Sequence, residues 1–255
     1  VTVEESASDP LDMITEAIEA GCANSPQLVH VGVEEAEADS PRAGKWWLAE
    51  PEGAADPLAD RVEREVAHVL ADTPAGHDPD TTTLERHLCA EFPGLITPGS
   101  TFFRHCLESY GEEKDGVWRF RPEDDPMARA HDYERISTEL KSLGQRLGYE
   151  VKTGAVDIYW NDADAEAASF RFIISDTAAV GRYVLPPPPT RGRQVMVIPG
   201  GRAGLIQYKL GRDPHLREAV DGGGWLFLKF RHIRRLLEKS NLDRAAFLSA
   251  LGLDP

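Results

Sequence analysis

LGQRLGYEV, residues 143–151, holds a helix end, a turn and the start of a strand within nine residues. Leu143 and Leu147 continue a stripe that runs back through Leu140, Ile136 and Tyr133. Apolar residues three and four apart share one helix face, so the spacing predicts a long helix from about Met127 to Leu147. Gly148 ends it, as a residue that can turn left-handed at low cost. Beyond Gly148 the apolar period changes. Tyr149–Val151, then VDIYW (Val156 to Trp160), then Ser169–Ile174 beginning SFRFI are short and rich in aromatic and β-branched residues, the signature of strands.

Downstream, Thr177–Leu185 reads as a helix running into Pro186–Pro189, which cannot continue it and forms a stiff linker. Gln194–Ile198 reads as a buried strand, Pro199-Gly200-Gly201 as a turn and Arg202–Leu210 as a helix. Trp225–Lys229 is a further strand, followed by helices at Arg231–Lys239 and Leu242–Leu251, the last capped by Asn241. Strands alternating with helices imply an α/β layer structure.

Upstream, Leu58, Val62, Val66, Val69 and Leu70 predict an amphipathic helix that stops before Pro74. Thr82 and Glu85 form a capping box for a second helix to Phe92. Thr97-Pro98 starts a third, with Phe102, Phe103, Cys106, Leu107 and Tyr110 inward. Asp115-Gly116 then turns the chain into Val117–Phe120, a strand. Three helices and a strand is the order of a winged helix. Before it, Pro10 to about Ala20 reads as a helix capped by Asp9, Glu34–Asp39 is acidic, and Trp46-Trp47-Leu48 is expected to anchor on a neighbouring core. The expected organisation is an extension at 1–56, a winged-helix-like module at 57–126 and an α/β domain at 127–255.

The formal charge of −15 argues against polyanion partners, yet its distribution is uneven. Residues 1–125 hold 9 Lys/Arg against 28 Asp/Glu, and residues 175–255 hold 13 against 7. Only the back half could face a phosphate backbone. The third helix of the acidic module, with Arg104 and His105 beside Glu108, lacks the side chains of a major-groove reader. No membrane helix or signal peptide is evident, and three cysteines do not make a disulfide framework, so the expected location is the cytoplasm. A chain opening on Val1 leads to the expectation of a fragment or processed product.

The order helix, three strands, helix, strand, carried by LGQRLGYEV, VDIYW and SFRFI, resembles restriction-endonuclease-like domains of bacterial DNA-defence nucleases. In that family a strand supplies a metal-binding Asp and the next carries Glu-x-Lys, which together hold Mg²⁺ and orient the attacking water. The resemblance puts Asp157 in the place of the first carboxylate. The following strand, Phe170-Arg171-Phe172-Ile173, has neither glutamate nor lysine, so Asp157 reads as a remnant and no catalytic residue is assigned. The stretches DRVEREV (60–66), FPGLITP (92–98) and HCLESYGE (105–112) are similar to C-terminal regions accompanying bacterial adenine-specific DNA methylases in defence loci. The Asn/Asp-Pro-Pro-Tyr/Phe tetrapeptide that clamps a flipped base is absent, so any methylation would lie elsewhere.

Arg202, Lys209 and Arg212 on one helix, with Lys229, Arg231, Arg234 and Arg235 around the next, are the expected DNA-backbone contacts. No cofactor and no metal site is expected: His87 and Cys89, two apart on a helix, point in different directions. PGGRAG (199–204) matches neither nucleotide-binding glycine motif. These readings converge on a non-catalytic module of a bacterial DNA modification or anti-phage defence system. Its expected partners are DNA and other subunits or domains of such a complex. The alternatives are a Mg²⁺-dependent nuclease joining Asp157 with Asp162, Asp164 or Glu166, and a protein-interaction scaffold that touches no nucleic acid.

Overall fold

The computed structural model describes residues 10–26, 28–31, 45–48, 56–74, 76–154, 157–162, 169–187 and 192–253, in two units that divide between Ala54 and Ala55. In the first unit, α1 (Pro10–Ala23) is followed by an antiparallel pair, β1 (Leu28–Val31) with β2 (Lys45–Leu48). Trp46, expected as an anchor, sits in β2 and stacks on His30 across the pair, ring centroids 4.4 Å apart. The expected cap Asp9 and the acidic run 34–39 lie outside the described residues.

The second unit opens with three helices, α2 (Leu58–Asp72), α3 (Thr81–Glu91) and α4 (Ser100–Tyr110), and a hairpin of β3 (Gly111–Lys114) with β4 (Val117–Phe120). The capping box at Thr82 is not used. Asp80 caps α3 instead, its carboxylate accepting from the Thr83 N–H at 2.7 Å. α4 starts at Ser100 because Gly94–Ile96 makes a 3-10 turn and the Thr97 hydroxyl donates to the Phe92 carbonyl rather than to a helix end. Asp115 and Gly116 take φ of 55° and 80°, the pair of left-handed residues that a tight hairpin turn demands.

Next come α5 (Pro126–Arg146), β5 (Glu150–Thr153), β6 (Asp157–Asn161), β7 (Phe170–Ile174), α6 (Gly181–Val184), β8 (Arg193–Ile198), α7 (Ala203–Arg212), α8 (Pro214–Gly222), β9 (Trp225–Lys229), α9 (Phe230–Glu238) and α10 (Arg244–Leu248). The strands form one mixed sheet in the order β5-β6-β7-β8-β9, antiparallel from β5 to β7 and parallel from β7 to β9. The chain is therefore mixed α/β. Of the helix expected at Thr177–Leu185 only Gly181–Val184 is helical, and Asp243 caps α10 in place of Asn241. No helix among the described residues is long and apolar enough to cross a membrane.

Alternation along the strands gives the sheet two apolar faces. Ile158, Trp160, Phe170, Phe172, Val195, Val197 and Leu228 pack with Ile136, Leu140 and Leu143 of α5, Ile233 and Leu236 of α9 and Phe247 of α10. Ile173, Met196, Ile198, Trp225 and Phe227 face the other way and merge with Val62, Val66, Leu84, Phe103, Leu107 and Trp118 into a single cluster. The boundary expected at 126/127 is thus no break between cores: α2–α4 complete the cover of the sheet's second face.

That shared face carries a buried ionic cluster. Lys209 of α7, 2% exposed, donates to Asp60 at 2.7 Å, to Glu63 and to the Ala178 carbonyl at 3.1 Å. The Ala178 N–H donates to Glu63 at 2.6 Å, the Gly181 N–H to Asp60 at 2.7 Å, and the Tyr110 hydroxyl to Glu63. Gly181 has to be glycine here, because a Cβ would lie 2.5 Å from Pro57 Cγ and 2.8 Å from the Asp60 carboxylate. Burial works against the charge on Lys209, but Glu63 and then Asp60 outweigh it and raise its pKa. Burial raises the Asp60 carboxyl, with Lys209 opposing.

Lys209→Met leaves two buried carboxylates without a cation and should cost about 3–5 kcal/mol at neutral pH. A carboxyl whose folded pKa is raised adds stability at low pH and loses it as pH rises. Without Lys209 the rise at Asp60 is unopposed, so the deficit in urea unfolding should be smaller at pH 5 than at pH 8. An equal deficit at both would contradict the charge balance described.

Candidate functional site

The residue expected as a nuclease remnant, Asp157, is the first of β6, opposite Ile173 of the antiparallel β7. Side chains of one strand alternate in direction, so Arg171 and Ile173 are the β7 residues on the Asp157 face. The resemblance described above would have led one to expect a glutamate and a lysine on this strand. Arg171 Nε and Nη2 each lie 2.9 Å from Asp157 Oδ2, and the Tyr159 hydroxyl donates to the same oxygen at 3.0 Å. Arg171 Nη1 reaches the Gln194 side-chain oxygen on β8 at 3.2 Å, so a polar row crosses three strands. The guanidinium meets the negative charge of Asp157 that a cation would otherwise balance.

Asp162 does not converge on Asp157. It follows the far end of β6, about 16 Å along the strand by the usual rise per residue. There it accepts from Ser169 at 2.7 Å and pairs with Arg244 at 2.7 Å. The Ser169 hydroxyl is the main cause holding its carboxyl below the ordinary range; slight burial opposes, and Arg244 adds to the lowering. Asp164 and Glu166, the other expected partners, lie outside the described residues. Among the described residues no three His, Cys, Asp or Glu side chains are grouped to hold a metal ion. His87 instead meets Glu65 at 2.6 Å, and His105 packs on Tyr208 with ring centroids 4.4 Å apart.

The seven cations expected on a DNA surface separate into three groups. Arg202, Lys209 and Lys229 are buried and cannot meet a phosphate backbone as placed. Lys209 belongs to the cluster above, and Lys229 donates to the Leu253 carbonyl at 2.7 Å. Arg202 lies over the Tyr110 ring, 3.6 Å from its centroid, and donates to Asp124, to the Ser109 carbonyl and to the Asp176 carbonyl. Arg234 pairs with Asp132 at 2.9 Å and lies 3.6 Å from Glu139, both on α5. Arg212, Arg231 and Arg235 are exposed, with no ion-pair partner among the described residues. The neighbouring His232 is partly buried, which lowers its pKa and favours the neutral ring.

The sequence reading missed a cleft of about 500 Å³ beside the carboxyl ends of β7 and β9. Ala67 and Ala71 of α2, Ser175–Thr177 beyond β7, and Tyr133, Arg182 and Tyr183 are among the residues that line it. Tyr133 was expected in the apolar seam of α5, yet it is 40% exposed. Its offset from the seam explains this: Ile136, Leu140 and Leu143 point at the sheet, and Tyr133 is one turn too early to reach it. No family model matches this chain, and no curated protein matches it.

Arg171→Met should cost about 1–3 kcal/mol, because it leaves a largely buried carboxylate short of its charged partner. Replacing both residues, Asp157→Leu with Arg171→Met, should cost less than the two single changes added together. Urea unfolding of all four proteins measures the coupling, and additive losses would mean the pair contributes nothing.

Proposed function

We propose that this chain is a non-catalytic docking module of a bacterial DNA modification or anti-phage defence system. In this reading a winged-helix-like element, α2–α4 with the β3–β4 hairpin, is fused onto a restriction-endonuclease-like sheet. The order α5, antiparallel β5-β6-β7, then parallel β8 supports the nuclease-like half. Three helices followed by a hairpin support the other. The observation that carries the loss of cleavage is the Arg171–Asp157 pair, which uses the remaining carboxylate as a structural anion. The divergent-nuclease alternative loses Asp162 as a partner, since it is bound at the far end of β6.

Contact with DNA is the secondary part of this proposal. The observation favouring it is that Arg231 and Arg235, one turn apart on α9, are both exposed and free of carboxylates among the described residues. Two phosphate contacts release few counterions, so such binding would be weak and sequence-independent. A partner protein is the main occupant expected for this module.

Purified protein should leave duplex and single-stranded DNA intact with Mg²⁺ or Mn²⁺, and Asp157→Ala should change nothing. Cleavage that disappears in Asp157→Ala would overturn the proposal. In anisotropy titrations at low salt, Arg231→Ala with Arg235→Ala should weaken any DNA binding equally on all sequences and flatten the salt slope by about two units. Absence of binding at low micromolar protein would leave the docking function without the DNA contact.

A further inference from the structure

The mixed sheet ends on two outer strands, β5 and β9, and an outer strand is where a sheet can pair with another chain. The two edges are closed in different ways. β5 reads Glu-Val-Lys-Thr, and Glu150 and Lys152 are both exposed, their charges 3.2 Å apart. Charges at an edge deter an incoming strand. β9 reads Trp-Leu-Phe-Leu-Lys, with no charge before Lys229, which is itself buried. Trp225 and Phe227 pack on one face of the sheet and Leu226 and Leu228 on the other, so this edge carries no deterrent of its own.

The segment after α10 closes it instead. Leu251 packs on the cluster that holds α5, α9 and Phe247, and Leu253 packs on the cluster of the opposite face. Residues 251–253 therefore cross the edge from one face of the sheet to the other. At the crossing the Gly252 N–H donates to the Phe227 carbonyl at 2.7 Å. Two side chains add to it: the Lys229 ammonium donates to the Leu253 carbonyl at 2.7 Å, and His232 Nδ1 to the Ala250 carbonyl at 3.0 Å. A strand laid along the edge would bond at every second residue. Among the described residues the Gly252 bond is the only backbone bond that joins this segment to β9, and both leucines stay partly exposed. We propose that residues 249–253 are a strap that opens without unfolding the sheet, and that the edge it uncovers pairs with β9 of a second copy. Two identical edges can pair antiparallel about a twofold axis, a contact that closes at two chains. None of these contacts involves Asp157, Arg171 or the exposed arginines of α9, so failure of this inference would leave the function proposed above untouched.

Native-state hydrogen exchange on the full chain tests the opening without any substitution. The Gly252 amide should exchange through a local opening, at least about tenfold faster than the Met196 and Val197 amides of β8 and with little response to low denaturant. Sedimentation tests the pairing. Leu251→Asp with Leu253→Asp frees the strap from both faces, and its mass should rise from 28.1 kDa towards twice that value as concentration rises. Leu248→Asp, at an exposed position on α10, should keep the monomer mass. In the dimer, amides of 225–229 should exchange more slowly than in the dilute double variant, and those of 150–153 should not change. Gly252→Pro removes the one backbone donor and should act in the same direction, which covers a double variant that fails to fold. Four results would each overturn the inference: a Gly252 amide that exchanges only with global unfolding; strap variants that keep the mass of Leu248→Asp at every concentration; a dimer with no protection at 225–229; or growth past two chains.

Discussion

Lys209, held between Asp60 and Glu63 with almost no solvent, is the constraint on which the arrangement of the main unit depends. Two acids one turn apart on α2 need a cation, and the one that bonds to both projects from α7. The remaining lone pairs are met by backbone N–H groups of Ala178 and Gly181, which belong to the segment after β7. α2, the β7–α6 connection and α7 are thereby fixed to one another in a single geometry. A buried ionic group of this sort contributes little net energy compared with a well-packed apolar one; its effect is that alternative packings leave charges stranded. Tyr110 extends the arrangement, since its hydroxyl binds Glu63 and its ring lies under Arg202. Burial, and then Glu63, raise that phenol well above its ordinary range.

Arg202 repeats the logic nearby. It ties the turn after β8 to the end of α4 through Ser109 and to the start of α5 through Asp124. Two cations from the basic back half are thus spent inside the molecule, neutralising acids from the front half. Charges far apart along the chain are thereby brought together inside the unit. The sequence as a whole stays strongly acidic, and among the described residues Arg212, Arg231 and Arg235 are exposed without an ion-pair partner.

The elements most legible in the sequence were those with sustained periodicity. α5 came from its leucine and isoleucine stripe, and the strands from Glu150 to Lys229 from their aromatic and β-branched runs. β3 was not legible, because Glu112, Glu113 and Lys114 are all exposed and show no alternation. α8 follows Asp213-Pro214, a cap and first-turn proline, in a stretch between Leu210 and Trp225 to which the sequence reading gave no element. The burial of Arg202, Lys209 and Lys229 was illegible for a different reason. A helix carrying Arg202, Lys209 and Arg212 looks the same whether its cations meet water or acids from 146 residues away. One signal was available: Glu63 falls at the spacing of Val66 and Leu70, inside the apolar stripe of α2, where an acid needs a partner. The cleft gave no such signal, since it is assembled from α2, α5, the end of β7 and α6 with no local motif.

The sequence separation within the Lys209 cluster also bears on how the chain is made. Asp60 leaves the ribosome 149 residues before the lysine that neutralises it. Until α7 has been synthesised, α2 cannot seat its acids against the sheet without burying two uncompensated charges. Seating α2 with both acids charged is therefore a contact of long sequence separation, whose loop-closure cost comes before its reward.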